Sequence, residues 1–135
     1  MSIFTTAELA YLQQQRLARL ATIGPDGGPQ ARPVGFLVDP DTGTIDIPGI
    51  DNPSTQKWRN VRRLGLVSLV VDDVVTQPWQ PRAIEIRGTA EALPDVHPAS
   101  AFPGVAPGVI RIHPRRILAF GIEEDGPGAR TVAVG

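Results

Sequence analysis

Several residue types that support common chemistries are absent or scarce in this chain of 135 residues. It has no cysteine, which excludes disulfides, thiolate metal sites and a cysteine nucleophile. Its two histidines, His97 and His113, do not occur with carboxylates at a metal-ligand spacing. No apolar run approaches the roughly 20 residues of a membrane span, and the N-terminus "MSIFTTAELAYLQQQR" has no apolar signal core. We therefore expect a cytoplasmic protein without a metal site and without a membrane partner.

Aromatic residues make up only 5% of the chain, and the formal net charge is −1. Barrels that bind nucleic acids stack bases on strand aromatics, and the expected strands offer only Phe36 and Phe120. A nucleic-acid partner is therefore not expected. The chain also lacks a G-x-x-x-x-G-K-[ST] loop and a G-x-S-x-G motif. No catalytic residue can be named from these patterns, so the chemistry of an enzyme with this sequence would belong to a bound cofactor.

Glycine and proline are abundant, at 14 each, and they separate short apolar runs. Thr5 or Thr6 followed by Glu8 forms a capping box that predicts a helix up to about Gln14. The runs "RLARLATI", "QARPVGFLVD" and "TIDIPG" then predict a three-stranded antiparallel meander. Pro33 predicts an edge position or a bulge for the second run, because proline cannot donate to a strand ladder.

The second half of the chain also has strand character. "LGLVSLVVDD" is nearly all apolar, which predicts a strand covered on both faces. "RAIEIRGTAEAL" alternates, with Ile84 and Ile86 on the side predicted to face the core. "VIRIHPRRILAFGIEE" predicts a strand with a bulge or break at Pro114, and "ARTVAV" could add a last strand. The expected fold is mainly β (α+β), a single domain over residues 1–135 with six or seven antiparallel strands in a small barrel and one or two short helices.

The segment "DNPSTQKWRNVRR" holds four cations within seven residues. Asn52 and Pro53 predict the start of a helix, as its N-cap and first residue, and Gly65 predicts its end. An apolar stripe of Trp58, Val61 and Leu64 would pack on the barrel.

Ser54 and Lys57 are three residues apart, so they would flank the N-terminal turn of this helix, where free N–H groups favour a phosphate. The alternative is that the cations form a solvated helix face. This alternative is favoured for Arg59 and Arg63, and for Lys57 the two interpretations remain open.

Four segments carry a resemblance to a known family: "LARLATIGPDGGPQARPVGF", "KWRNVRRLGLVSLVVDD", "PWQPRAIEIRGTAEAL" and "IRIHPRRILAFGIE…ARTV". Together they resemble the pyridoxamine 5′-phosphate oxidase-like split β-barrel superfamily, of the FMN-binding split-barrel type. The similarity is greater to its branch of deazaflavin (coenzyme F420)-dependent reductases, which includes the tetracycline-biosynthesis reductase group. The helix "K-x-R-N-V-R-R" followed by "VSLVVDD" is the most specific part.

The resemblance implies a homodimer that binds F420, or alternatively FMN, between its protomers and transfers a hydride to or from a small-molecule substrate. It also implies a set of cofactor-binding residues: Arg32, Val34, Ile47, Pro48, Ser54, Lys57, Asn60, Arg62 and Trp79. Two other functions remain open on the same barrel. One is an FMN-dependent oxidase or flavin reductase, and the other is a non-catalytic flavin or haem carrier.

Overall fold

The computed structural model describes residues 2–99 and 103–132. Its centre is an antiparallel sheet curled into a split barrel, in the order β2-β1-β5-β6-β7-β4-β3, with β8 paired to β7. The strands are β1 Ala18–Ile23, β2 Pro29–Val34, β3 Leu37–Val38, β4 Ile45–Ile47, β5 Leu66–Thr76, β6 Trp79–Leu93, β7 Val109–Phe120 and β8 Ala129–Thr131. Two short helices, α1 Thr6–Gln14 and α2 Gln56–Arg63, flank the sheet. The mainly β split-barrel fold is confirmed.

The core lies inside the curl of the sheet and is built from alternate strand residues. In β6, Ile84 and Ile86 are fully buried, and their neighbours Glu85 and Arg87 lie on the outer face and pair with each other. The predicted alternation is therefore confirmed. Both helices add to this core; the contributors from α1 and α2 include Tyr11, Leu12, Trp58 and Val61.

Local sequence signals correctly placed several element boundaries. Thr5 and Glu8 form the predicted capping box of α1, which ends at Gln14 as expected. β2 lies at one end of the strand order, so Pro33 occupies an edge strand. β7 pairs Pro114 with Gly88 and Arg116 with Arg87, so Arg115 forms the expected bulge.

The predicted meander is wrong in its second strand. The run "QARPVGFLVD" splits into β2, which pairs with β1, and β3, which pairs with β4. These two strands lie at opposite ends of the strand order, because the chain leaves the ladder at Gly35 and Phe36. Splitting this run raises the number of strands in the described part to eight.

The prediction that β5 is covered on both faces is also wrong for the single chain. Val67, Leu69 and Val71 are buried, but Leu66 on the opposite face is 53% exposed. The outer face of β5 therefore carries open apolar side chains, Leu66 and Val74, among polar ones. Within the described residues, neither helix is long enough to cross a membrane.

Candidate functional site

Helix α2 begins three residues later than the sequence predicts. Asn52 is buried, and its side-chain amide donates to the carbonyls of Ile47, at 2.9 Å, and Gly108, at 3.0 Å. This side chain links two distant loops and does not cap α2, and residues 52–54 form a short 3-10 turn. Thr55 is the N-cap, and its hydroxyl accepts a hydrogen bond from the Trp58 N–H. Asn52 as the N-cap of α2 is therefore a wrong prediction.

The first turn of α2 forms one wall of a pocket. Trp58 and Val61 are buried against the sheet, whereas Leu64 has already left the helix and is 38% exposed, so the apolar stripe is shorter than predicted. This docking holds the start of α2 beside the hairpin of β1 and β2. The pocket between them has a volume of about 400 Å³ and is lined by Thr22, Gln30, Arg32, Thr55, Gln56 and Lys57.

Two cations face this pocket from different elements. Lys57 is the second residue of α2, and Arg32 lies on β2. Burial lowers the pKa of the Lys57 ammonium, and the nearby positive charge of Arg32 lowers it further. Both effects disfavour the charged lysine in the free protein. A bound anion would raise the pKa of Lys57 again and so offset both effects.

Neither cation is neutralised by a carboxylate within the described part of the chain, where the ion pairs involve other residues. The paired arginines are Arg19, Arg82, Arg87, Arg111 and Arg130. Other arginines, such as Arg62 and Arg115, also have no ion pair in the described part of the chain, but Lys57 and Arg32 are the cations that line this pocket together. The arrangement is suited to binding an anion such as a phosphate.

The other predicted site residues do not line this pocket. The Ser54 hydroxyl is bonded to the carbonyl and carboxylate of Asp51. Arg62 is exposed on the helix surface. Trp79 is 71% exposed at the tip of the β5–β6 hairpin.

Three predicted contacts have buried side chains. Val34 and Ile47 belong to the core, and Pro48 is buried directly after β4. Their side chains therefore face inward, and any contact of theirs with a ligand would come from the backbone.

Asn60 is buried behind the pocket wall. Its amide nitrogen donates to the hydroxyl of Thr22, at 2.9 Å, and to the side-chain oxygen of Gln30, at 2.8 Å. Its oxygen accepts from the side-chain nitrogen of Gln56, also at 2.8 Å. Asn60 is thus bonded to three residues that line the pocket.

Thr22 and Gln30 do not stand out in the sequence as site residues. They are directly opposite each other in the β1–β2 ladder, and Thr22 is a buried polar residue on the inward face of β1, which it shares with Ala18 and Leu20. The polar residue at an inward position of β1 is the sequence feature that could have pointed to Thr22 as a site residue.

The cations Arg59 and Arg63 are more engaged than a solvated helix face would be. Arg63 donates to the carbonyls of Ile23, at 2.7 Å, and Gly24, so it fastens α2 to the β1–β2 hairpin. Arg59 donates to the carbonyl of Ser54 and to the side-chain oxygen of Gln56. The interpretation of Arg63 as merely solvated is corrected by these contacts.

Neither histidine contributes to this pocket. His97 is exposed in the loop after β6, and His113 on β7 pairs with Glu91 at 2.6 Å. Over the described ranges 2–99 and 103–132, no group of three or more acidic or histidine side chains is placed to hold a metal.

The fold is a split barrel, and a pocket lined by two cations lies at the edge of its sheet. Residues 4–124 match the family described as pyridoxamine 5′-phosphate oxidase. The chain belongs to this family, and it is an oxidoreductase.

One relative and two solved structures are similar to this chain. The 5a,11a-dehydrotetracycline/5a,11a-dehydrooxytetracycline reductase of Streptomyces rimosus is 46% identical over 123 residues, covering 90% of this chain and 86% of the relative. HupZ of Group A Streptococcus superposes with a TM-score of 0.74 at 22% identity, covering 96% of this chain and 100% of HupZ. A structure described as an F420 reductase has a TM-score of 0.61 at 24% identity, covering 80% of this chain and 93% of that one. These two structures show the fold.

Proposed function

We propose that this oxidoreductase binds the deazaflavin F420 and transfers a hydride between the reduced cofactor and a small organic substrate. The observation that carries the proposal is the pair of Lys57 and Arg32, which face one pocket without a carboxylate partner in the described chain. F420 and the alternative cofactor FMN both contain a phosphate, which such a pair would neutralise. The F420 reductase among the similar structures supports the deazaflavin.

The residues present fit such a cofactor. Arg32 and Lys57 would hold the phosphate, and Ser54 and Arg62 would lie at the outer edge of the site. The backbone of Val34, Ile47 and Pro48 would lie against the ring. Trp79, which is 71% exposed, would reach the site of a partner protomer. The bound cofactor would supply the hydride, and the chain would orient the substrate and exclude water.

The substrate proposal follows from the relative in Streptomyces rimosus. That enzyme is named for 5a,11a-dehydrotetracycline and 5a,11a-dehydrooxytetracycline, and its identity of 46% extends over most of both chains. We propose that this chain likewise reduces a carbon–carbon double bond in a polycyclic substrate of the tetracycline type. A cytoplasmic location is part of the proposal, because the oxidised cofactor must be reduced again by another enzyme.

A homodimer is the proposed assembly. The outer face of β1, β5 and β6 carries a mainly apolar groove of about 530 Å³, lined by Ala21, Ile23, Leu66, Val67, Ser68, Arg87, Gly88, Thr89 and Arg115. Open apolar patches of this kind favour association, and two-fold dimers are the commonest assembly. Sedimentation should give a dimer at micromolar concentration. A monomer with unchanged cofactor affinity would contradict this part of the proposal.

The decisive experiment is an equilibrium titration of the purified protein with F420 and with FMN side by side, followed by turnover of reduced cofactor with 5a,11a-dehydrotetracycline. We expect tighter binding of F420 and oxidation of reduced F420 by the substrate. Tight FMN binding without F420 binding would favour the FMN-dependent oxidase or flavin reductase. Binding without turnover with any electron acceptor would favour the carrier function.

A further inference from the structure

A chain of hydrogen bonds runs behind the wall of the pocket. It begins at Arg59, whose guanidinium donates to the side-chain oxygen of Gln56 at 2.9 Å. Gln56 in turn donates from its nitrogen to the oxygen of Asn60 at 2.8 Å. Asn60 then donates to the hydroxyl oxygen of Thr22 and to the side-chain oxygen of Gln30.

The direction of this chain is determined at its exposed end. A guanidinium has only donors, so the oxygen of Gln56 must face Arg59. The nitrogen of Gln56 must then face Asn60, which places the oxygen of Asn60 toward Gln56 and its nitrogen toward β1 and β2. If the amide of Asn60 were reversed, two nitrogens would face each other at 2.8 Å, and this direction is therefore the only one that satisfies all of these groups.

The far end of the chain sets the polarity of the pocket wall. Both amide hydrogens of Asn60 are used, one on Thr22 and one on Gln30. The Thr22 hydroxyl hydrogen and the Gln30 side-chain nitrogen make no hydrogen bond to other described residues, and both residues line the pocket. Together with Arg32 and Lys57, the wall therefore offers donors.

We propose that Asn60 is a positioning residue that makes the pocket select anions. It does so without contacting the ligand, by occupying the acceptor oxygens of Thr22 and Gln30 so that their donors remain for a phosphate. The inference rests on the proposed function of the pocket as a phosphate site, and it replaces the predicted direct contact of Asn60 with the cofactor. Asn60 is buried and does not line the pocket, whereas Thr22, although only 2% exposed, and Gln30 do.

The test compares ligands that differ only in the phosphate. Dissociation constants are measured for the deazaflavin riboside and for its 5′-phosphate, in the parent protein and in Asn60→Ala. We expect Asn60→Ala to weaken binding of the 5′-phosphate about tenfold, the lower end of what a hydrogen bond to a charged group contributes, and to leave riboside binding unchanged. Equal losses for the two ligands would mean that Asn60 only supports the fold, and no loss for either would also overturn the proposal.

A double-mutant cycle separates action through Thr22 and Gln30 from any other effect. In the background Thr22→Val with Gln30→Leu, Asn60→Ala should change the F420 affinity less than about twofold, because the residues through which it acts are gone. A loss as large as in the parent would overturn the proposal. If Asn60→Ala does not fold, the background variant alone decides, with a loss of about tenfold for F420 expected and parental affinity contradicting the proposal.

A calorimetric titration with inorganic pyrophosphate distinguishes a failure of this inference from a failure of the proposed function. If the parent binds pyrophosphate but not F420, the cofactor assignment fails while the same variants still test Asn60 with pyrophosphate. If the parent binds neither pyrophosphate nor F420, the pocket is not an anion site and the role of Asn60 falls with it.

Discussion

Two regions of this molecule treat buried charge in opposite ways. Where α1 meets β8, the Glu8 carboxylate is 1% exposed and accepts two hydrogen bonds from Arg130, which also donates to the carbonyl of Ile3. Where α2 meets β2, Lys57 and Arg32 share a pocket without a carboxylate in the described chain. In the first arrangement the buried carboxylate and the guanidinium neutralise each other, and the pair links segments near the two ends of the chain. In the second, the two positive charges would be neutralised only by a bound anion.

The largest expected effect comes from breaking the pair of Glu8 and Arg130. Arg130→Met would leave the Glu8 carboxylate buried without its cation, and removing one partner of a buried pair costs about 3–5 kcal/mol of unfolding free energy. Denaturant unfolding measures this loss. The matched control is Arg130→Met with Glu8→Leu, which should recover much of it because no buried charge remains. A single variant as stable as the parent would show that the pair is not structural.

The next effect concerns the pocket of Lys57 and Arg32. Lys57→Ala should cost about 1.5–3 kcal/mol of cofactor binding, roughly 10- to 150-fold in Kd, because a charge-assisted hydrogen bond to the phosphate is lost. The stability of the free protein should not fall, since burial and the charge of Arg32 both disfavour the charged lysine in the folded state.

The matched control for Lys57→Ala is Arg59→Ala, measured at the same ionic strength. It removes the same charge from the same helix, but Arg59 reaches the pocket only indirectly, through Gln56 and Asn60, so it should cost clearly less than Lys57→Ala, about 1 kcal/mol of binding. Equal losses in the two variants would indicate a general effect of charge and no specific phosphate site.

A pH titration sharpens the same comparison. The pKa of Lys57 is lowered in the folded protein, and only the ammonium form binds an anion. Cofactor affinity should therefore fall as the pH rises through this lowered pKa, below the usual lysine range near 10.5. The free energy of unfolding of the free protein should instead rise with pH between the lowered pKa and the usual one, because the unfolded chain binds the proton more tightly. In Lys57→Arg the affinity should persist to higher pH, and an unchanged profile would exclude Lys57 as the titrating group.

The smallest effect is expected at Arg63. Arg63→Ala frees the carbonyls of Ile23 and Gly24, so the β1–β2 hairpin loses one fastening to α2. We expect a loss of about 1 kcal/mol of unfolding free energy, typical of a single hydrogen-bonded contact, and a smaller loss in Arg59→Ala. Thermal denaturation of the two variants measures the difference. The reverse order would mean that Arg63 is a solvated residue after all.

Elements with local causes could be predicted from the sequence. The capping box of Thr5 and Glu8 lies within four consecutive residues, and it placed α1 correctly. The alternation in β6 depends on each residue's own side of the strand, and Ile84 and Ile86 are buried accordingly. Lys57 lines the pocket, and a cation near a predicted helix start is likewise a local pattern, but its role in binding stays a prediction.

The parts that failed depend on contacts between distant segments. Asn52 has the composition of an N-cap, but its amide is used by carbonyls five and 56 positions away, which no local pattern reveals. The split between β2 and β3 likewise follows from which strand each one pairs with.

By itself the sequence determined that the chain forms a β-barrel with a cationic helix, because periodicity and capping act between near neighbours. Only the tertiary structure decided what that helix faces. Thr22, Gln30 and Arg32 come from the β1–β2 hairpin, and they meet Lys57 because α2 docks on that hairpin through Asn60 and Arg63. These contacts join residues about 30 to 40 positions apart, and long-range packing, which sequence patterns do not encode, brings them together.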